Sequence, residues 1–295
     1  MQLIEFGQKL NEPIILCLGY FGCMHMGHRA LLDRAKLRAR ELGAKVALFT
    51  FSNNHLRVLG KDVKVLYTFE ERLQIYSDLG VDYVLAAEFT EKFRNSSGAE
   101  FVKQLTDYNL KGVVCGFDYT CGCDRLGSCD LQNALASLCS VDVVEAVCWN
   151  GNKVSTTLIR ALLAENDITS ANKLLSEPYF LCGTVVSGRK VGSKIGFPTA
   201  NLQIDVDKLL TNGVYGGVAT LQGKTYKCIV NIGNKPTFGV DSATVEVHLI
   251  GFEGNLYGQD LKVALTKFLR KITKFASPDE LTRQLQADRE SVLND

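Results

Sequence analysis

The chain has 295 residues, enough for two compact domains that each bury a core of their own. Hydrophobic residues make up 46% and charged residues 22%, a balance that excludes a disordered chain. The formal net charge is +1, so no whole-molecule field draws the protein to nucleic acid or to a membrane surface, and phosphate binding has to arise from local arrangement.

The first residues, MQLIEFGQKLNEP, lack a basic segment followed by an apolar core, and no apolar run reaches bilayer length. The sequence therefore predicts a cytoplasmic protein with no nucleic-acid or membrane partner and no obligate protein partner. In that compartment the ten cysteines are expected to be reduced thiols.

The first half alternates strand-like and helix-like segments. The apolar run from Pro13 to Leu18 predicts a buried strand. From Met26 to Leu42 the spacing of Leu31, Leu32, Ala35, Ala39 and Leu42 predicts one apolar helical stripe, with Gly43 as its C-cap. Lys45 to Thr50 reads as a strand, Phe69 to Leu79 as a helix closed by Gly80, and Tyr83 to Leu85 as a strand. Ala99 to Tyr108 reads as a helix, and Gly112 to Cys115 as another strand. This alternation predicts an α/β unit, a parallel sheet covered on both faces. A helix pair from Ser155 to about Leu175 closes it, and Glu177-Pro178-Tyr179 marks the expected boundary between domains at 1–177 and 180–295.

The remainder has short strands and recurrent turn glycines, the pattern of an antiparallel barrel. Thr244 to Leu249 alternates, with Glu246 and His248 on the polar face. Ser277-Pro278-Asp279-Glu280 predicts a capping box at the start of a C-terminal helix, with proline at the first helical position.

Two segments carry chemistry in the first half. Gly19-Tyr20-Phe21-Gly22-Cys23-Met24-His25-Met26-Gly27-His28 joins the first strand to the first helix. Ligands bind at the carboxyl ends of parallel strands, and a helix N-terminus offers free N–H groups to a phosphate. His25 and His28 can donate to phosphate oxygens there; a surface polar pair or a fortuitous metal pair is the plainer reading. Ser155-Thr156-Thr157-Leu158-Ile159-Arg160 is the second segment. Its hydroxyls suit an N-cap, but Arg160 opposes the helix dipole unless an anion is bound beside it.

Together these segments resemble the small-molecule nucleotidyltransferases, and more closely the FMN adenylyltransferase half of the bacterial bifunctional riboflavin kinase/FAD synthetase family. Phe69-Glu70-Glu71-Arg72-Leu73, Leu79-Gly80-Val81-Asp82, Phe101-Val102 and Gly116-Phe117-Asp118-Tyr119 fit its pattern in order. The resemblance implies a Rossmann-like domain in which His25, His28 and Arg160 stabilise the α-phosphate as FMN attacks and pyrophosphate leaves. It also implies nucleotide binding by Gly19, Phe21, Gly27, Ser155, Thr156 and Thr157. Three stretches depart from the family. Its G-x-F-D-G has Gly22 at the aspartate, its Pro-His-Pro reads Asn53-Asn54-His55, and its F-D-F-R-F-G has Thr120 at the arginine.

Cys115, Cys121, Cys123 and Cys129 do not follow paired zinc-ligand spacing and read as free thiols.

In the second half, Gly183 to Leu202 is glycine-rich but is no Walker A loop. Thr199 and Asn201, two apart in an extended segment, share a face and present oxygen donors suited to a hard cation; exposed strand polarity explains them equally. With Gly213-Val214-Tyr215-Gly216, Asn231-Ile232-Gly233, Pro236-Thr237-Phe238, Val245-Glu246-Val247-His248 and Leu256-Tyr257-Gly258, the segment resembles the riboflavin kinase family over nearly all of 180–295. This implies a six-stranded Greek-key barrel with a C-terminal helix, Mg2+ held by Thr199 and Asn201, and Glu246 as general base. It further implies nucleotide binding by Gly183, Gly192 and Gly196. His248 reads as a solvated strand residue.

The expected activity is phosphorylation of riboflavin to FMN, with ATP as co-substrate, followed by adenylylation of FMN to FAD. The alternative, favoured by Gly22 and Thr120, is a riboflavin kinase whose first domain only binds nucleotide or flavin and regulates the second.

Overall fold

A computed structural model describes residues 1–187, 196–237 and 240–294. The chain divides into two compact units, Met1–Thr156 and Thr157–Asp295.

The first unit is a six-stranded parallel sheet with helices. Its strands are β1 (Gln2–Glu5), β2 (Ile14–Leu18), β3 (Lys45–Phe51), β4 (Tyr83–Ala87), β5 (Leu110–Gly116) and β6 (Ser140–Val144). The order across the sheet is β1-β4-β3-β2-β5-β6, and every pairing is parallel. The order reverses between β2 and β5, which makes their carboxyl ends the crevice where ligands bind in such sheets. All five residues of β2 are buried, as a central strand covered on both faces requires.

Helix α1 (Met26–Leu42) follows β2 and buries Leu31, Leu32, Ala35 and Ala39. Gly43 closes it in the left-handed region, with φ at 61°. Leu42, expected on the buried stripe, is 43% exposed because it occupies the last helical position beside that turn. Helices α2 (Phe69–Asp78), α3 (Gly98–Leu105) and α4 (Ser128–Leu135) complete the unit. Thr68 and Ser97 begin α2 and α3 with reciprocal capping boxes to Glu71 and Glu100.

Helix α5 (Thr156–Ala164) starts at the last residue of the first unit and lies otherwise in the second, followed there by α6 (Ile168–Leu174). The sequence placed this helix pair with the first half, ahead of a boundary at Glu177. Three of its hydrogen bonds run to the barrel side of that boundary. Asn172 donates to the Leu265 carbonyl at 2.8 Å and accepts the Tyr179 N–H at 2.8 Å, and Tyr215 donates to Asn166 at 2.6 Å.

The barrel strands are β7 (Phe180–Val186), β8 (Ala200–Gln203), β9 (Gly213–Leu221), β10 (Lys224–Thr237), β11 (Val240–Leu249) and β12 (Asp260–Arg270). They close in the order β7-β8-β11-β10-β9-β12. Strands β9, β10 and β11 form successive hairpins and β12 returns beside β9, which is Greek-key order. Helix α7 (Pro278–Leu293) follows. Ser277 caps it by accepting the Glu280 N–H, but the Glu280 carboxylate takes the Ala276 N–H, so the expected capping box is shifted by one residue. Lys227 binds the Val292 and Leu293 carbonyls at 3.1 and 3.0 Å and covers the negative end of the helix. No described helix is long and apolar enough to cross a membrane.

Candidate active sites

In the first unit the loop after β2 turns sharply at Phe21, whose φ is 49°. That strained residue is fixed from behind. Its carbonyl accepts the Tyr76 hydroxyl at 2.7 Å, and the Tyr20 carbonyl accepts the Thr50 hydroxyl at 2.5 Å. Arg72, only 2% exposed, donates to Thr50 Oγ1 at 2.9 Å and to the Phe51 carbonyl at 2.8 Å. Its guanidinium also lies 5.0 Å from the Tyr20 ring centre.

The loop delivers His25 to the N-cap of α1 and His28 to its first turn. The two rings stack with centres 3.8 Å apart and planes 13° apart. His25 Nδ1 accepts the His28 N–H at 3.2 Å, and His28 Nδ1 bonds the Cys23 carbonyl. Gly27 leaves room for this arrangement, since a Cβ there would lie 3.1 Å from the His25 ring and 3.5 Å from the Val154 carbonyl. Burial pulls His25 down to about 2, helped by the charge of its neighbour His28, and pulls His28 down to about 4. Both rings are therefore neutral at pH 7. Cys23 Sγ lies 3.6 Å from the Thr156 hydroxyl.

A cavity of about 850 Å³ opens at the carboxyl ends of β2, β3 and β5, the crevice that the strand order marks. Gly19 and Tyr20 line it, with Phe51, Phe89 and Phe93 as apolar walls and Asp118, Thr120 and Arg125 among its polar groups. Asp118 pairs with Lys153, whose charge also lowers both histidines. Of the departures from the family pattern, His55 and Thr120 line this cavity. Asn53 exchanges two bonds with the Phe89 backbone at 2.9 and 3.0 Å, and Asn54 donates to the Val63 carbonyl at 3.0 Å. His55 lines the cavity 4.2 Å from the Tyr20 ring centre, with its Nδ1 buried and unpartnered. Burial, then Arg72 and Lys61, lower it to about 4.

Ser155 and Thr156 are half-buried in the first unit, while Thr157 and Arg160 lie on α5 in the second. Among the described residues, no close group of three or more metal-binding side chains includes Cys115, Cys121, Cys123 or Cys129. No disulfide joins any described cysteine pair.

In the second unit, Asn201 on β8, Glu246 on β11 and Asn231 on β10 stand directly opposite one another across three paired strands. Directly opposed residues point to the same face, so the three form one polar row. Thr199, Asn231 and Glu246 line a cavity of about 310 Å³, whose far wall includes Phe275, Leu281 and Leu285 from the C-terminal segment. His248 lines the same cavity. It is half-buried and bonds the Pro198 carbonyl at 2.8 Å, so beyond the solvated strand residue expected it fastens the segment that leads through Thr199 into β8. Arg270 also lines the cavity and is held by Asp288 of α7 at 2.9 to 3.2 Å.

Two of the three barrel glycines assigned to nucleotide, Gly183 and Gly196, have local structural explanations. A Cβ at Gly183 would meet the Gln203 carbonyl oxygen at 2.4 Å, so the close approach of β7 and β8 requires glycine. Gly196 has φ at 79°. Gly192 lies outside the described residues, as does Phe238.

Residues 7–158 match the FAD synthetase family model and residues 175–294 match the riboflavin kinase model. The bifunctional riboflavin kinase/FMN adenylyltransferase of Bacillus subtilis is 32% identical over 95% of this chain and 91% of its own. That of Listeria monocytogenes is 34% identical over 94% and 91%. This chain belongs to the bifunctional riboflavin kinase/FMN adenylyltransferase family. A crystal structure described as a macrolide-efflux protein from Streptococcus pneumoniae shares the fold with a TM-score of 0.93, at 30% identity over 99% of both chains.

Within this family frame, several site residues escaped the sequence reading. Arg72 belonged to a quoted motif, but nothing in its spacing told that it is a buried cation behind the loop. Asn231, also in a quoted motif, gains its meaning only from register with Glu246. Arg270 and Asp288 are eighteen residues apart and meet because α7 folds back on β12.

Proposed function

We propose that the barrel unit phosphorylates riboflavin to FMN with ATP, and that the first unit adenylylates FMN to FAD with release of pyrophosphate. The observation that carries the first half is that Thr199, Asn231 and Glu246 line one cavity, with Asn201 directly opposite Glu246 on the neighbouring strand.

Glu246 acts as general base. It accepts the proton of the ribityl 5′-hydroxyl as that oxygen bonds the γ-phosphorus and the bond to ADP breaks. Asn231 and Asn201 flank it and orient substrate oxygens. The apolar wall from Phe275, Leu281 and Leu285 suits a flat flavin ring. Thr199 and Asn201 supply neutral oxygen donors, the donor chemistry that fits Mg2+, and we assign them to that ion. When bound, Mg2+ neutralises charge on the transferring phosphate.

In the first unit the cavity at the strand ends receives FMN. His25 and His28 stabilise the α-phosphate as the FMN phosphate oxygen attacks and pyrophosphate departs. Gly19, Phe21 and Gly27 shape the loop around the nucleotide. Ser155, Thr156, Thr157 and Arg160 are assigned to its phosphates on the motif alone, as are Gly183, Gly192 and Gly196 to the nucleotide of the kinase. The reading places the enzyme in the cytoplasm, with riboflavin, FMN and ATP as its small-molecule partners.

Incubating the protein with riboflavin, ATP and Mg2+ and resolving the flavins by chromatography tests this. FMN plus FAD is expected. FMN alone, even when FMN and ATP are supplied, would leave the first unit a regulatory domain, and neither product would remove both assignments.

A further inference from the structure

Cys23 stands at the last residue of the G-x-F-D-G pattern and does not belong to the phosphate-binding pair, yet its sulfur lies with that pair. The ligand atoms of Cys23, His25 and His28 all fall within 4.8 Å of one another. We propose that these three side chains form a binding site for a thiophilic divalent cation, with zinc as its probe, and that its occupancy silences FMN adenylylation by withdrawing the two imidazoles from the nucleotide.

The donor set is the first argument. One thiol and two imidazoles are the ligands of zinc sites that keep a fourth, open position. Bonds of 2.0 to 2.3 Å impose a spacing of roughly 3.5 Å on the ligand atoms of a tetrahedral ion, so the three atoms have to close in, and because an ion lies in the plane of each imidazole the two stacked rings have to turn out of parallel as it binds. The second argument is the partner of His28. A carbonyl only accepts, so the bond from His28 Nδ1 to the Cys23 carbonyl puts the proton on Nδ1 and leaves a lone pair on Nε2. An imidazole that donates one N–H to a carbonyl and offers its other nitrogen is the arrangement of a metal-ligating histidine with its outer-shell partner. Cys23 therefore contributes twice, through its sulfur and through the carbonyl that sets the His28 tautomer.

His25 joins at a cost. Its Nδ1 accepts the His28 N–H, so its own Nε2 carries the proton. Ligation through Nε2 moves that proton to Nδ1 and gives up the backbone bond. The Cys23 proton passes to solvent, and the resulting thiolate offsets the cation at a helix N-terminus and accepts from the Thr156 hydroxyl beside it. The open position is left to water or a phosphate oxygen. Hard, oxygen-preferring Mg2+ does not compete for this set.

The functional half of the inference rests on the adenylyltransferase reading, and the test separates the two. Full-length protein, reduced and stripped with EDTA, is titrated with zinc against a chromogenic indicator and then with cobalt. Cys23→Ser is expected to bind one zinc fewer than wild type, which discounts the other nine cysteines. Wild type is expected to show a thiolate-to-cobalt charge-transfer band that weakens in the variant. With riboflavin, ATP and Mg2+, buffered zinc is expected to lower FAD formation about tenfold while FMN formation holds, and Cys23→Ser, scaled to its own zinc-free rate, should need about tenfold more zinc. Equal zinc uptake and equal cobalt bands in wild type and Cys23→Ser would overturn the site. Equal loss of FMN and FAD formation would overturn its link to adenylylation. If wild type makes no FAD, the adenylyltransferase reading fails, while the zinc count and cobalt band still decide the site.

Discussion

His25 Nδ1 accepts the backbone N–H of His28 at 3.2 Å, so one histidine caps the helix that carries the other. That bond fixes opposite tautomers. Neutral His25 presents an N–H at Nε2, while neutral His28, tied at Nδ1 to the Cys23 carbonyl, presents a bare nitrogen there. A bare nitrogen repels a phosphate oxygen. For both rings to donate to the nucleotide, His28 has to gain a proton, and burial has lowered it to about 4. ATP binding at pH 7 should therefore take up close to one proton more in wild type than in His28→Gln. Calorimetry in buffers of different ionisation enthalpy measures that difference, and equal uptake in the two proteins would contradict it. The comparison also cancels any contribution from ATP bound at the barrel.

The same histidines make the first unit acid-sensitive. His25, His28 and His55 are all lowered from 6.5, to about 2, 4 and 4, chiefly by burial. Unfolding releases them to their ordinary range, so below pH 6.5 the unfolded chain binds more protons than the folded one. Stability then falls as pH drops from 6.5 toward 4 and is fully present above that window. In EDTA-containing buffer the denaturant midpoint reported by Trp149, the single tryptophan, should be clearly lower at pH 5 than at pH 7. His55→Phe should flatten this dependence. A midpoint independent of pH would mean that the rings are not desolvated in solution.

Separate cavities predict separable activities. Glu246→Gln keeps the size of the side chain but removes the base, and FMN formation should fall by about 10²- to 10⁴-fold, the usual contribution of such a group. FAD formation from supplied FMN should persist. His28→Ala should show the converse. Chromatography of the flavin products from both substrates reads the two rates, and parallel loss of both in either variant would refute the assignment of one reaction to each unit.

Much of this was legible in the chain itself, for physical reasons that can be named. Strand β2 and helix α1 declared themselves because a fully buried strand is a plain apolar run and a one-sided helix has a clear period. Edge strands β1 and β6 did not. Gln2–Glu5 buries only Ile4, and Ser140–Val144 is at best half-buried, so neither shows a pattern that burial would impose. Thr199, Asn201 and Glu246 were singled out on spacing and resemblance. What spacing lacked was register, which places Asn201 and Asn231 on either side of Glu246. His248 was misread because alternation tells which face a residue is on, and that face, polar in sequence, forms a cavity wall beside Pro198.

Arg270 and Asp288 join the barrel to α7, and Asp288 is only 4% exposed. Gln284 adds a fourth contact to the same carboxylate at 2.9 Å. Removing one partner of such a pair leaves the other charge desolvated, so Asp288→Ala should cost the barrel unit about 3 kcal/mol. It should also raise the riboflavin KM, because α7 supplies Leu281 and Leu285 to the cavity wall. Asp288→Asn, which keeps the shape and some hydrogen bonding, should lose less on both counts. Denaturation followed by circular dichroism, with kinase kinetics under conditions where each variant is folded, provides the check. An unchanged KM in folded Asp288→Ala would show that the wall does not depend on this pair.

Restoring the aspartate that the family pattern carries should not help this chain. A Cβ at Gly22 would lie 2.3 Å from Tyr20 Cε1. The Tyr20 ring has little freedom to retreat, with His55 4.2 Å from its centre and the Arg72 guanidinium 5.0 Å away. Forcing the extra atoms into that packing costs about 1–3 kcal/mol and displaces the loop that positions His25. Gly22→Asp should therefore lower both the Trp149 unfolding midpoint and the rate of FAD formation, and leave FMN formation from riboflavin unchanged. The double variant Gly22→Asp/Tyr20→Ala removes the colliding ring and should recover the midpoint. If Gly22→Asp alone raised FAD formation with its midpoint intact, the glycine would be a dispensable loss of a carboxylate, and the steric coupling between positions 20 and 22 would be wrong.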